Sequence, residues 1–228
     1  IVQSGLVLNL DAGVSSSYPG SGTTWTDLSG NGNNGTLILG PTYNSGNGGS
    51  LVFDGVDDEV SCGTGSLNNL SAFSGLMWVY KTDVGPAGAD RLLTKRSSLQ
   101  GSGWWDFLTT PSHTISFNAD FLTTDITKES STGFSLNTWN MVAFTWDGTS
   151  SASNIILYIN ANVTTYSTST DGAGGRVSET TNDLVIGNGD WANRPFKGRV
   201  GIVQAYNRAL TAAEIQRNFQ ATRFRFGI

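Results

Sequence analysis

The stretch from Trp139 to Asn162 limits most what this chain can fold into. It reads Trp-Asn-Met-Val-Ala-Phe-Thr-Trp-Asp-Gly, then a polar turn, then Asn-Ile-Ile-Leu-Tyr-Ile-Asn-Ala-Asn. Trp139 to Asp147 is apolar with a β-branched and aromatic bias, and Gly148 to Ser153 is small or polar throughout. That is the chemistry of a strand followed by a turn. Ile155 to Ile159 is apolar at successive positions, which on a strand places apolar groups on both faces. The pattern predicts two paired strands sandwiched between layers.

Similar short runs recur on both sides of this hairpin. Strands are expected at Gly5–Asp11, Thr36–Leu39, Leu51–Phe53, Glu59–Cys62, Phe73–Lys81, Arg91–Arg96, Trp104–Thr109, Thr114–Asn118, Leu184–Asn188 and Lys197–Tyr206. Evenly spaced short strands with turn residues between them predict an antiparallel β-sandwich. The 29 glycines against 5 prolines, with charged residues at only 14%, fit many tight turns. Ala12 to Gly49 is long and poor in aliphatic residues, so it is read as ordered turns around one short strand. Helical character is confined to Thr211–Phe224. Thr211 and Glu214 form a capping-box pattern there, Leu210 precedes the cap, and Ile215 and Phe219 share a face. No linker or repeat interrupts the chain, and residues 1–228 are read as one domain.

Bulk properties narrow the function. Thirteen basic residues against 18 acidic ones, without a basic stripe, argue against a nucleic-acid partner. No apolar run approaches the length of a membrane span. Cys62 stands alone and reads as a small core residue, and its lack of a partner favours a bacterial or viral source over a secreted animal domain. The start at Ile1 suggests a processed product or a piece of a longer protein. His113 is the single histidine, which excludes a His/Cys zinc cluster and disfavours a Ser-His-Asp triad. Arg199, Arg217, Arg223 and Arg225 near the C-terminus are read as solvated charges with carboxylate partners.

Two groups of residues have the composition of a site. Asp27, Ser29, Asn31 and Asn33, interleaved with glycine, place oxygen side chains as in the opening of a calcium loop. Ile38 stands where such a loop needs its closing glutamate, so Asp11, Asp54 or Asp57 must complete the shell. The competing reading is a set of turns in which Asp27, Ser29 and Asn31 bond their own backbone. The second group is aromatic. A sugar ring offers an apolar C–H face, so a saccharide site pairs an aromatic platform with polar groups. Trp191, with Asn188, Asp190 and Asn193 around it, has that composition, against the alternative that a loop tryptophan plugs the end of the sandwich. Trp104 and Trp105 must point to opposite faces of their strand, one buried and one exposed. Trp105 is taken as the ligand-facing member. Trp78, Trp139 and Trp146 are assigned to the core.

The Trp-x-x-x-Ala-x-x-Trp-Asp-Gly run followed by Leu-Tyr-Ile-Asn resembles the central hairpin of LamG-like jellyroll domains, in the concanavalin A-like lectin/glucanase superfamily. Gly5–Asp11, Trp25–Thr36, Ser50–Asp58 and Gly198–Phe219 resemble the same family in the same order. The Arg-Phe-Arg-Phe-Gly-Ile ending resembles domains carried on phage virion proteins. The resemblance implies a two-sheet jelly roll, a frequent structural Ca2+, and non-catalytic binding of a glycan or host-surface polysaccharide on a virion or extracellular surface. It equally accommodates a decoration module that contacts other virion proteins and binds no sugar. Glucanases of this superfamily carry a Glu-x-Asp-x-x-Glu strand, which is missing here, so hydrolysis is not expected.

Overall fold

The computed structural model describes residues 1–83, 88–95, 103–189 and 194–228. In chain order its strands are β1 (Leu6–Asp11), β2 (Thr24–Trp25), β3 (Gly35–Ile38), β4 (Thr42–Asn44), β5 (Ser50–Asp54) and β6 (Glu59–Ser61). β7 (Phe73–Lys81), β8 (Asp90–Lys95), β9 (Trp105–Thr109), β10 (Ile115–Ala119), β11 (Ile126–Ser130) and β12 (Trp139–Trp146) follow. The last are β13 (Ile155–Ile159), β14 (Asn162–Val163), β15 (Tyr166–Thr170), β16 (Leu184–Ile186) and β17 (Lys197–Tyr206), before one helix, α1 (Ala212–Thr222). All pairings are antiparallel. The first sheet runs β14-β13-β12-β7-β17-β5-β4, with β1 also on β17, and the second runs β15-β11-β10-β9-β8-β16-β6-β3-β2.

β17 serves two partners on one edge, and on its other edge, against β7, its register shifts between Val200 and Ile202, at Gly201. Lys197–Val200 pairs with β5, while Ile202–Tyr206 pairs with β1. A Cβ at Gly201 would lie 2.7 Å from the Phe226 ring, so the missing side chain is what lets the C-terminal tail seat there.

The two sheets enclose the main core. At its centre Phe73 meets Trp105, Phe117, Phe144 and Trp146 with ring centroids 4.9–5.6 Å apart. Such pairs each add about 0.5–1.5 kcal/mol beyond their buried area. A second cluster lies on the other side of the first sheet, where α1 and the tail cover Leu76, Trp78, Trp139, Met141 and Tyr206. Phe219 and Phe226 both stack on Trp78, whose Nε1 donates to Thr222 Oγ1 at 2.8 Å. These two layers explain why every residue of β12 is buried.

The predicted capping box is present. Thr211 Oγ1 accepts from Glu214 N, and Glu214 Oε2 accepts from Thr211 N at 3.0 Å. Arg208 adds a two-pronged contact to the same carboxylate at 2.6 and 2.8 Å. Its guanidinium, with the Thr211 backbone donor, pulls the Glu214 carboxyl down to about 2. Burial pushes the Cys62 thiol up to about 12, as suits a core residue.

Two longer strands exceed the sequence expectation. β11 reads Ile-Thr-Lys-Glu-Ser and β15 reads Tyr-Ser-Thr-Ser-Thr, so neither has the apolar content that marks a strand. β15 needs little, since it is an edge strand with mostly exposed side chains. β11 buries only alternate residues, Lys128 among them. Its ammonium lies 4.0 Å over the Tyr166 ring and donates to Ser169 Oγ.

Candidate functional site

The first sheet wears the helix on its outer face, whereas among the described residues the second sheet has no helix on its own. The outward residues of that second sheet follow from register. One rank runs Thr94, Asp106, Asn118, Thr127 and Thr170 across β8, β9, β10, β11 and β15. The next runs Arg91, Leu108, Ser116, Glu129 and Thr168. Their strand neighbours Trp105, Phe107, Ile115, Phe117 and Ile126 point into the core. Alternation, interrupted in β8 by the register shift between Arg91 and Leu93, therefore gives one mainly apolar face and one face mainly of hydroxyls, amides and charges, with Leu108 among them.

That polar face is internally braced. Asn118 Nδ2 donates to Asp106 Oδ1 at 2.9 Å, and the Arg91 guanidinium lies 3.4 Å from Asp106 Oδ2. Ser116 Oγ donates to Asn118 Oδ1 at 3.3 Å and to Lys128 O at 3.1 Å. Thr114 Oγ1 donates to Glu129 Oε1 at 2.9 Å. Arg91 and Asp106 are buried beneath this surface, while Asn118, Thr127 and Glu129 remain partly exposed. A fixed array of acceptors and donors costs little entropy to engage, which suits recognition of a hydroxylated ligand.

Trp104 completes the face. Its carbonyl accepts from Asp120 N at 2.9 Å, extending the β9–β10 pairing by one residue. It precedes Trp105 and so lies on the outer side, half-buried. The expectation that Trp105 faces a ligand is corrected here. Trp105 is 1% exposed and packs on Phe73, Phe117 and Phe144. Alternation correctly separated the two tryptophans, but sequence held no marker of which faced inward.

The other aromatic cluster is only partly in view, because Asp190, Trp191 and Asn193 lie outside the described residues. Asn188 is described and is buried. Its Oδ1 accepts from Gly189 N at 2.8 Å and Arg194 N at 3.0 Å, so this oxygen shapes its own loop rather than facing a ligand.

The calcium loop does form a cluster, but of a different kind. Asp27 Oδ1 accepts from Asn9 N and Ser29 N at 2.8 and 2.9 Å, and Oδ2 accepts from Ser29 Oγ and Asn33 N at 2.7 and 3.0 Å. The Asn31 and Asn33 amides donate to Leu6 O and Val7 O. Each Asp27 oxygen thus faces two hydrogens, where a cation would need bare lone pairs. Asp11 is not part of this cluster. Its Oδ1 pairs with Arg225 Nη1 and accepts from Gly13 N at 2.9 Å, while Arg225 also donates to Asn47 O and Gly49 O. The residues Asp27, Ser29, Asn31, Asn33 and Asp11 do not fit a calcium shell, and the self-bonded turn describes them. Asp54 and Asp57 group instead with Asp58, their ligand atoms within 4.8 Å of one another. In that turn Asp58 Oδ2 accepts from Asp54 N, and burial raises the Asp58 carboxyl.

Two antiparallel sheets around an aromatic core, one of them presenting a polar outer face, define a concanavalin A-like two-sheet sandwich. The chain belongs to the concanavalin A-like lectin/glucanases superfamily, whose family model matches residues 53–216. No curated protein sequence matches it. Among solved structures it is similar to the binding domain of Paraclostridial Mosquitocidal Protein 1, with TM-score 0.68, 15% identity, and coverage of 96% of this chain and 52% of that one. It is similar to Trypanosoma rangeli sialidase in complex with sialic acid, with TM-score 0.65, 16% identity, and coverage of 97% and 33%. Domain 4 of the Geobacillus stearothermophilus extracellular arabinanase AbnA, in complex with arabinotriose, gives TM-score 0.64, 17% identity, and coverage of 93% and 97%. The chain thus spans about half of the first of these structures and a third of the second. No helix among the described residues is long and apolar enough to cross a membrane.

Proposed function

We propose that this domain is a non-catalytic carbohydrate-binding module. Its saccharide platform is the outer face of the second sheet, with Trp104 under the sugar ring and Asn118, Thr127 and Glu129 hydrogen-bonding the hydroxyls. The observation that carries this reading is the partly exposed Trp104 beside a braced polar rank that no helix among the described residues covers. The arabinotriose bound to the similarly folded arabinanase domain, and the binding domains among the other similar structures, support it. Asp190, Trp191 and Asn193, which follow β16 in sequence, are proposed as further contributors.

A binding role suits the carboxylates on this face. Asp106 is buried, with one oxygen accepting from Asn118 and the other beside the Arg91 guanidinium, so both of its oxygens are engaged by protein groups. Display on an extracellular or virion surface belongs to the same proposal and rests on the resemblance of the C-terminal tail.

A glycan array probed with the wild-type domain and with Trp104→Ala tests the reading. The expected result is a neutral-saccharide signal lost in the variant while the melting transition stays within a few degrees. An array silent for a folded wild-type domain would instead favour a decoration module.

A further inference from the structure

The first sheet carries a separate cleft on its outer face, beyond the edge of the helix layer. Lys197 and Arg199 sit two residues apart on β17, so both side chains leave the same face, about 7 Å apart along the strand. Opposite them in register stand Asp54 and Val52 of β5, and Tyr80 of β7 flanks Arg199 on the other side. The cleft encloses about 360 Å³, and its lining includes Asn44, Val52, Asp54, Thr82, Lys197 and Arg199.

Arg199 is held differently from the other arginines near it in sequence. Arg208 grips Glu214, and Arg225 grips Asp11 and two carbonyls. Arg199 instead sits 4.0 Å over the Tyr80 ring and 5.8 Å from that of Trp139. Among the described residues nothing accepts a hydrogen bond from it. A guanidinium placed by stacking keeps its N–H edge for a planar oxyanion, and its two-donor fork matches a carboxylate or sulfate. Lys197 is also loosely committed. Its Nζ lies 3.6 Å from Asp83 Oδ2, with the side chains 45% and 60% exposed.

The remaining lining narrows the ligand. A bare anion gains nothing from Asp54, which would repel it. A sugar hydroxyl can donate to that carboxylate and exchange hydrogen bonds with the Asn44 amide and the Thr82 hydroxyl. A ligand that uses the whole lining must carry an oxyanion and several hydroxyls together. We propose that this cleft is a second binding site, on the sheet opposite the neutral-saccharide platform, and that it takes an acidic sugar residue bearing a carboxylate or sulfate. Arg199 receives the oxyanion, Lys197 adds charge, and Asp54 and Asn44 take hydroxyls.

This inference goes beyond the platform centred on Trp104, and one calorimetric series separates the two. Oligogalacturonate, a sulfated dextran oligomer, a neutral dextran oligomer and sodium sulfate are titrated into wild type, Arg199→Gln, Lys197→Gln and Trp104→Ala. The proposal expects at least one acidic oligomer to bind wild type. It expects that affinity to fall about tenfold in Arg199→Gln and less in Lys197→Gln, and to weaken with salt. Trp104→Ala should leave it unchanged, and which acidic oligomer binds distinguishes uronate from sulfate. Three results would each overturn the proposal: no acidic oligomer bound by wild type, equal affinity in wild type and the folded Lys197 and Arg199 variants, or sodium sulfate alone binding as tightly as the oligomers.

Discussion

Trp104 and Trp105 are neighbours in sequence, yet the fold gives them opposite duties, and alanine at each should separate stability from binding. Trp105 is 1% exposed, with ring partners at 4.9 Å (Phe73), 6.4 Å (Phe144) and 6.5 Å (Phe117). Removing a fully buried tryptophan costs about 3–5 kcal/mol, from lost burial plus the cavity left behind. A domain of this size loses about 2–4 °C of melting temperature per kcal/mol, so Trp105→Ala should melt about 6–20 °C lower. With total stability of about 5–15 kcal/mol, the variant sits near the edge of folding. Trp104 is half-buried on the polar side, and its replacement should cost about 1 kcal/mol or less. Saccharide affinity should move the other way, falling about tenfold or more in Trp104→Ala and holding in folded Trp105→Ala. Calorimetric melts and titrations on the same samples read both quantities. A Trp105→Ala transition within about 2 °C of wild type would refute the assignment of faces.

Three further outcomes follow from side-chain arrangements at the edges of the sandwich. The Glu214 carboxyl lies near 2 in the folded chain, below its ordinary value of 4.5, so its contribution is full above that range and fades as pH drops from about 4.5 to about 2. Arg208→Ala should flatten this acid limb in urea titrations at several pH values, and an unaltered limb would exclude the contact as its cause. Arg225→Ala should cost about 2 kcal/mol in urea unfolding, because it frees Asp11 and two loop carbonyls at once. EGTA should leave the melting temperature unchanged, since Asp27 is satisfied by protein donors. A drop of several degrees would restore a bound cation, because a ligand specific to the folded state raises stability by mass action.

The fold was legible where strands are buried on both faces. β7, β12, β13 and β17 announce themselves by runs rich in large apolar residues, and the capping box marks the start of α1. β11 and β15 escaped because β15 lies at an edge and β11 fills two of its three buried positions with Lys128 and Ser130, so neither shows an apolar alternation in sequence. The candidate site was harder to read for a related reason. Asp106, Asn118 and Thr127 are far apart in sequence and meet only through the register of three strands. Local composition pointed instead to Asp27–Asn33, whose clustered oxygens serve a turn, and to Trp105, whose inward orientation depends on where the strand begins. Arg199 was grouped with the arginines of the C-terminal segment. Its separate setting became visible only once Tyr80 was placed beside it.

The most direct test of the saccharide platform is amide and indole chemical-shift mapping of the domain titrated with a neutral oligosaccharide that it binds. The account predicts that the largest shifts fall on the Trp104 indole, the Asn118 side-chain amide and the backbone of β10 and β11, with α1 silent. Shifts concentrated on α1 and the tail, or confined to the turns at Asp27–Asn33, would contradict it.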